Sequence, residues 1–442
     1  MTRKIFLFLS ISLITYIGFS QTFDKAKLDN YLQALEDNNK FMGSVSIAQG
    51  GKAIYTKSIG FADVEQKIKL TENSKFRIGS ISKTFTTALV FKAIEEQKIK
   101  LTDVLAKYFP SIKNSGKITI SNLLYHRSGL HNFTDDEDYL KWNTTPKTEN
   151  EMIAIIAKAG SDFEPDTKAE YSNSNFVLLS YILEKIYNKK IKEILAKNII
   201  IPLGLKNTFY GGKIDLKNNE CNSYTFKGSW AKENETNMSV PMGAGAVVST
   251  PTDLAKFIDA LFQGKVVSNT SLEQMKTIKD HFGMGLFQIP FYDKKGFGHT
   301  GGIDGFSSML SYFPEDNLAF ALTSNGNNYK NNDIAIAVLS CYYNKPFSIP
   351  DFKTFVVSGE DLDQYVGTFS SKEMPFKITI TKKDKTLIAQ ATGQSSFALD
   401  AKEKDKFEFA QAGVVLEFKP EEKQMILKQG GGKFTFSKDE NK

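Results

Sequence analysis

Strand-like patterns occur at the two ends of residues 25–345, and helical patterns lie between them. Near the start, two β-rich runs at 44–48 and 53–56 are joined by Gln49-Gly50-Gly51-Lys52, which is typical of a hairpin. Strand patterns return at residues 298–302, 306–313 and 318–323. We therefore predict one antiparallel sheet assembled from both ends of this region.

Apolar residues at helical spacing predict the remaining elements of this region. An N-terminal helix is expected over residues 24–37 and a closing helix over 332–341. From residue 101 to about 255 the patterns are mostly helical, with helices expected at 149–159 and 175–189. The predicted fold class is α+β, with an antiparallel sheet flanked by helices and an all-α insertion.

The pattern changes near Pro346 and Pro350. The chain beyond them alternates apolar and polar residues between charged turns, which predicts a small antiparallel, barrel-like β-domain. It carries no compact cluster of titratable residues, so we expect a structural appendage. The predicted organisation is a signal peptide at 1–20, a main domain at 21–345, a linker at 346–355 and a C-terminal β-domain at 356–442.

The first residues are typical of a secretory signal. Arg3 and Lys4 precede an apolar run at 5–17, and Gly18 and Ser20 are small residues where a signal peptidase reads the chain. The alternative is an uncleaved anchor, but the run is short for a bilayer span. We predict export to the periplasm or the extracellular space, with no membrane span after cleavage.

Composition excludes several classes of function. The net charge of +6 comes from lysines scattered among acidic residues, which gives no reason to expect nucleic acid as a partner. The four histidines lack zinc-site spacing, and no cofactor is expected. Cys221 and Cys341 could pair in an oxidising compartment, but two cysteines do not define a disulfide framework.

A serine and a lysine lie three residues apart at Ser80 and Lys83, at the start of a predicted helix. Residues at this spacing share one helix face, so the amine can reach the hydroxyl. It can act as the base of that hydroxyl only if burial or a neighbouring charge lowers the lysine pKa. Gly79 permits a tight turn before the helix. The same spacing recurs at Ser229 and Lys232 in a polar stretch without a following amphipathic helix, and we interpret that copy as coincidence.

Two further motifs follow in order: Tyr171-Ser172-Asn173 before a strong helix, and His299-Thr300-Gly301-Gly302 in a predicted edge strand. Together with Ser80-x-x-Lys83 they resemble the serine β-lactamase and penicillin-binding DD-peptidase superfamily, in its class C-like branch with DD-carboxypeptidases, D-aminopeptidases and esterases. The resemblance covers roughly residues 25–345. The tail resembles the barrel-like domains that some members append.

The resemblance implies a role for each motif residue. Ser80 would attack a carbonyl to form an acyl-enzyme, with Lys83 and Tyr171 as base and acid in an order that stays open. Asn173 would bind the substrate amide and orient Lys83. The four residues of the last motif would bind substrate: His299, Thr300, Gly301 and Gly302. His299 and Thr300 would line the pocket wall, and the backbone N–H groups of Ser80 and Gly302 would form the oxyanion hole.

His299 departs from the Lys-Thr-Gly of class C β-lactamases. A histidine is mostly neutral at pH 7, so it attracts an antibiotic carboxylate less than a lysine does. Lys294 and Lys295 lie close upstream and could restore some charge. We expect a peptidase or esterase acting on a D-Ala-D-Ala-type or D-amino-acid bond, or on a cell-wall peptide. The alternatives are a class C-like β-lactamase and a non-catalytic module that binds muropeptides.

Overall fold

The computed structural model describes residues 23–440, with gaps at 353–354, 356, 359, 395 and 410–411. The signal peptide predicted at 1–20 lies outside the described residues. The helices are α1 Lys25–Asp37, α2 Ser82–Glu95, α3 Ile120–Leu124, α4 Tyr139–Trp142, α5 Glu149–Ala159, α6 Asn173–Tyr187, α7 Ile191–Leu195, α8 Ile201–Leu203, α9 Pro251–Phe262, α10 Asn269–Lys276 and α11 Asn331–Tyr342.

The strands fall into a main-domain group and a C-terminal group. The first group is β1 Phe41–Gln49, β2 Lys52–Ile59, β3 Phe61–Asp63, β4 Ile68–Lys69, β5 Phe76–Arg77, β6 Phe209–Tyr210, β7 Tyr224–Phe226, β8 Trp230–Lys232, β9 Val247–Ser249, β10 Phe287–Phe291, β11 Lys294–Ile303, β12 Phe306–Phe313 and β13 Leu318–Asn327. The second group is β14 Gly367–Ser370, β15 Ile378–Lys383, β16 Thr386–Ala391, β17 Phe397–Glu403, β18 Lys406–Phe409, β19 Val414–Lys419, β20 Gln424–Gln429 and β21 Gly432–Lys438.

The main sheet has the strand order β10-β11-β12-β13-β1-β2, so its two halves come from opposite ends of the domain. The junction is the antiparallel pair β1 and β13, in which Val45 lies opposite Leu322. Short strands β7 and β8 extend the sheet beside β13. The predicted assembly of one sheet from both ends of residues 25–345 is confirmed.

Helices cover both faces of this sheet. In β13, Phe320 and Leu322 pack with α1 and α11 on one face, whereas Ala319 and Ala321 pack with the helical block on the other. This explains why β13 is an uninterrupted apolar run and not an alternating one. The α+β fold class is confirmed.

Helix α2 lies at the centre of the helical block and is buried on nearly all sides. Its Phe85 stacks on Phe257 of α9 with ring centroids 3.7 Å apart. A helix that is buried all round cannot shift without repacking its neighbours, so it is a rigid support for residues at its N-terminus. The block also holds a small three-stranded sheet in the order β5-β9-β6, which the periodicity did not predict.

The C-terminal strands β14 to β21 form a closed barrel in which each pairs with the next. Closure occurs where Phe369 of β14 lies opposite Lys438 of β21. Large side chains fill its interior, including Phe369, Phe418 and Phe436. The predicted antiparallel barrel is confirmed, while the limits of the linker stay a prediction.

Two further observations bear on the sequence analysis. Among the described residues, the longest helices are too short or too polar for a bilayer crossing. Cys221 and Cys341 are both buried free thiols, so the pairing left open above does not form.

Candidate active site

Ser80 lies in a 3-10 turn, Gly79–Ile81, immediately before α2. Gly79 has φ +50°, and a Cβ there would lie 2.6 Å from the backbone nitrogen of Gly302. Glycine therefore permits both the left-handed turn and the close approach of β11. The sequence predicted Ser80 in the first helical turn, and the structure places it one short turn earlier.

Lys83 is fully buried and contacts three oxygens. Its Nζ lies 2.9 Å from Ser80 Oγ, 2.7 Å from Asn173 Oδ1 and 2.8 Å from the carbonyl oxygen of Ala244. None of these groups carries a formal charge. Burial lowers the pKa of Lys83 well below its usual value, because the charged form is desolvated. The arrangement favours a neutral amine able to accept a proton.

Tyr171 lies beside this amine, just before α6. The Lys83 Nζ is 4.8 Å from the centre of its ring, and the ring stacks on His126 at 4.5 Å. Burial raises the pKa of Tyr171, and a hydrogen bond with the Ser80 side chain opposes that shift only in part. Tyr171 is thus a neutral phenol that can donate a proton.

Asn173 is held by two neighbours that the sequence analysis missed. Its backbone nitrogen donates to Asn132 Oδ1 at 2.9 Å, and its Nδ2 donates to Thr134 Oγ1 at 3.0 Å. Because the amide nitrogen is already engaged, the amide oxygen faces Lys83. Neither neighbour belongs to a motif, so no sequence signal pointed to them.

The end of β11 reaches the turn that carries Ser80. Strand β10 pairs with β11 only as far as Gly298, so the following residues are free on that side, although β11 is not itself the edge strand of the sheet. A Cβ on Gly301 would lie 2.0 Å from the carbonyl oxygen of Ile78. The close approach of the two segments therefore requires glycine at this position.

His299 lies behind Tyr171 and not in the open cavity. It is 2% exposed, its ring is 4.5 Å from that of Phe287, and its Nδ1 donates to the Thr300 carbonyl. Burial lowers its pKa to about 3, so the imidazole is neutral. Thr300 is exposed and also lies outside the cavity wall described below.

Lys294, expected to add positive charge near the site, lies at the opposite end of β11 from Gly302. Its Nζ is 3.1 Å from Asp316 and 3.6 Å from Glu315, so two carboxylates neutralise it. Its position beside those carboxylates leaves the candidate site without this cation.

A cavity of about 510 Å³ opens at Ser80. Its described lining is Ser80, Phe133, Thr134, Tyr139, Leu140, Asn143, Thr144, Asn173, Thr225, Glu233, Asn234, Thr236, Pro241, Ala244, Gly245, Gly302, Ile303 and Asp304. This set contains two carboxylates and no lysine, arginine or histidine. A larger cavity of about 790 Å³ adjoins it at Thr144 and Thr236 but contains none of the predicted site residues.

The structure thus brings together Ser80, Lys83, Tyr171 and Asn173, with Gly301 and Gly302 against the same turn. Of the predicted site residues, Ser80, Asn173 and Gly302 line the cavity, whereas His299 and Thr300 do not. Across the described ranges, no group of three or more histidine, cysteine or acidic side chains is arranged to hold a metal ion.

Comparison with known proteins shows the family of this chain. The family model described as Beta-lactamase matches residues 28–339. Teichoic acid D-alanine hydrolase of Staphylococcus aureus (strain NCTC 8325 / PS 47) is 30% identical over 310 residues, covering 68% of this chain and 74% of that protein.

Two solved structures are similar to the structure of this chain. D-amino acid amidase from Ochrobactrum anthropi SV3, complexed with L-phenylalanine amide, has a TM-score of 0.63 and 25% identity, covering 72% of this chain and 99% of the amidase. A penicillin-binding protein homologue from Pyrococcus abyssi has a TM-score of 0.68 and 22% identity, covering 93% of this chain and 100% of the homologue. At this identity the similarity is one of fold. The protein belongs to the beta-lactamase family and is a serine hydrolase of the branch that holds these relatives.

Proposed function

We propose that this protein releases a D-amino acid, with D-alanine the first candidate, from an ester or amide through an acyl-enzyme on Ser80. The observation that carries the proposal is the 2.9 Å contact between Ser80 Oγ and the buried Nζ of Lys83. The names of the relatives support the substrate class, since one is a D-alanine hydrolase and another a D-amino acid amidase.

The contacts support the following proton transfers, which are part of the proposal. Neutral Lys83 takes the proton of Ser80 as Oγ bonds to the substrate carbonyl carbon. The backbone N–H groups of Ser80 and Gly302 stabilise the oxyanion, each worth about 3 kcal/mol. As the bond to the leaving oxygen or nitrogen breaks, Tyr171 protonates that atom and regains a proton from the Lys83 ammonium. Water then attacks the acyl-enzyme with the same groups in reverse, and releases the acid.

The cavity disfavours a β-lactamase of the class C type. Penicillins and D-Ala-D-Ala peptides carry a carboxylate close to the reacting carbonyl. No cationic side chain occurs in the described lining, and the nearby His299 is neutral. A non-catalytic binding module is disfavoured as well, because Ser80, Lys83, Tyr171 and Asn173 are all in contact.

The test uses the full chain and its Ser80→Ala variant with D-alanyl and L-alanyl esters and amides. We expect turnover of the D-alanyl compounds by the wild type only, with a mass increase of one alanyl group on Ser80 in rapidly quenched samples. Turnover that survives Ser80→Ala contradicts the proposal. A long-lived penicillin adduct with no turnover of D-alanyl compounds favours a DD-peptidase.

We also propose that the enzyme acts outside the cytoplasm after cleavage behind Ser20. The support is the charged start, apolar run and small residues at 1–20. Intact mass of the protein recovered from its producing cell tests this, since cleavage leaves Gln21 as the first residue. An unprocessed N-terminus contradicts it.

A further inference from the structure

Glu233 is the carboxylate of the Ser80 cavity that no described residue neutralises. It follows strand β8 and is only partly buried. Its Oε1 accepts a hydrogen bond from the Thr225 hydroxyl, and no cationic group in the described chain lies within salt-bridge distance. The other carboxylate of the wall, Asp304, differs: its Oδ2 lies 2.9 Å from Arg77 Nη1, so its charge is already paired.

The hairpin formed by β7 and β8 holds Glu233 in place. Its backbone nitrogen donates to the carbonyl oxygen of Ser223 at 2.8 Å, and Thr225, which bonds its side chain, is the central residue of β7. Strand β7 in turn pairs with β13 of the main sheet, Tyr224 opposite Gly326. Backbone and side chain are both anchored, so the carboxylate projects from a rigid wall.

The charges of the cavity discriminate between substrates. A carboxylate entering it would meet Glu233 without any cation to offset the repulsion, whereas an ammonium group would gain a charge-assisted hydrogen bond. Aminoacyl esters and amides carry such a group one carbon from the reacting carbonyl. The residues available to bind it on the wall are acidic or neutral.

We propose that Glu233 binds the free α-ammonium of the aminoacyl group and thereby selects aminoacyl over N-acylated substrates. This inference rests on the function proposed above. Glu233 is in this account a specificity-determining residue for the Ser80 reaction. It also excludes ligands whose carboxylate would lie at that position.

The test measures equilibrium binding to the full chain carrying Ser80→Ala, which cannot acylate. Calorimetry at pH 7 compares D-alaninamide, which is cationic, with N-acetyl-D-alaninamide, which is neutral. We expect the cationic ligand to bind about tenfold more tightly, the effect of one charge-assisted hydrogen bond. Adding Glu233→Gln should remove that preference, and adding Glu233→Asp should retain most of it.

A matched control is Glu273→Gln, which removes an exposed carboxylate on α10 that is paired with Lys276 at 2.6 Å. This variant should keep the preference. Equal binding of the two ligands, no binding of either, or a preference that survives Glu233→Gln overturns the inference. Because binding is read without turnover, a Glu233-dependent preference in a protein that never hydrolyses D-alanyl compounds overturns the proposed function alone.

Discussion

The Nζ of Lys83 lies 2.7 Å from the Oδ1 of Asn173, so a buried amine faces a neutral amide where a carboxylate would have kept it charged. Replacing Asn173 by Asp changes this with almost no change of shape. The new carboxylate stabilises the ammonium form, which raises the pKa of Lys83.

We therefore expect Asn173→Asp to move the acidic limb of the kcat/KM profile to higher pH, and to lower activity at pH 7 by tenfold or more. The pH-rate profile with a D-alanyl ester measures the effect. An unchanged limb would mean that Lys83 is not the titrating base. Asn132→Asp, one residue further from the amine, should shift the limb less.

Removing Lys83 should abolish the chemical step. Lys83→Met keeps the length of the side chain but removes the base, and a loss in kcat of about 10²–10⁴-fold is expected. The chain supplies a matched control in Lys232→Met, since Ser229 and Lys232 have the same spacing but belong to a turn and the strand β8. Equal losses from both variants would contradict the assignment.

Substitution by alanine should change the free energy of unfolding differently at two adjacent glycines. A Cβ on Gly301 meets the Ile78 carbonyl at 2.0 Å, whereas a Cβ on Gly302 has no atom nearer than the Phe306 carbonyl at 3.9 Å. We expect Gly301→Ala to lower the free energy of unfolding by about 1–3 kcal/mol and Gly302→Ala to change it little. Urea unfolding of both variants measures this, and similar costs would refute the close approach.

Stability should fall in mild acid. The pKa of His299 is about 3 in the folded chain and near 6.5 when unfolded, so between these values the unfolded chain binds the extra proton. The free energy of unfolding should drop as pH falls from 6.5 towards 3, by up to about 1.4 kcal/mol per pH unit for this group.

His126 is also buried with a lowered pKa and adds to the same trend. His299→Asn should therefore flatten the slope only in part. Urea unfolding at pH 7 and pH 4.5 gives the comparison. A variant with the wild-type slope would show that His299 is not protonated on unfolding.

Arg77 should be essential for stability. Its guanidinium lies 2.9 Å from Asp304 and 2.7 Å from Glu235, and its side chain is almost fully buried. Arg77→Met leaves Asp304 as an uncompensated buried charge, and a loss of about 3–5 kcal/mol is expected. Lys168→Met, which breaks an exposed pair with Glu170, should cost about 1 kcal/mol or less. Thermal unfolding compares the two variants, and equal losses would contradict the distinction.

Local patterns predicted much of the fold and part of the site. Apolar residues at helical spacing predict helix 149–159 with its observed bounds, and in the structure Thr148 and Glu151 form a capping box at its start. The contact of Ser80 with Lys83 follows from their spacing. In contrast, the Ala244 carbonyl reaches Lys83 from a distant segment, and no periodicity encodes that contact.

His299 is a second residue whose surroundings the sequence pattern did not predict. Its motif predicted a wall residue facing substrate, but the rings of Phe287 and Tyr171 enclose it. Those rings come from β10 and from the entrance of α6, so only the assembled fold brings them to the imidazole. Whether this histidine is buried, and therefore whether it is charged, depends on the tertiary structure.

The pairing of β1 with β13 has a consequence for synthesis. Phe41 forms its ladder with Asn327, so the sheet cannot close until nearly the whole domain has left the ribosome. Contacts this distant in sequence slow folding, because a long loop must be ordered before they form. The barrel is built from successive hairpins instead, and its contacts are local apart from the closure. We therefore expect the C-terminal barrel, which is synthesised last, to fold soon after its synthesis. Strand β1 is synthesised first and cannot pair with β13 until that strand has been made.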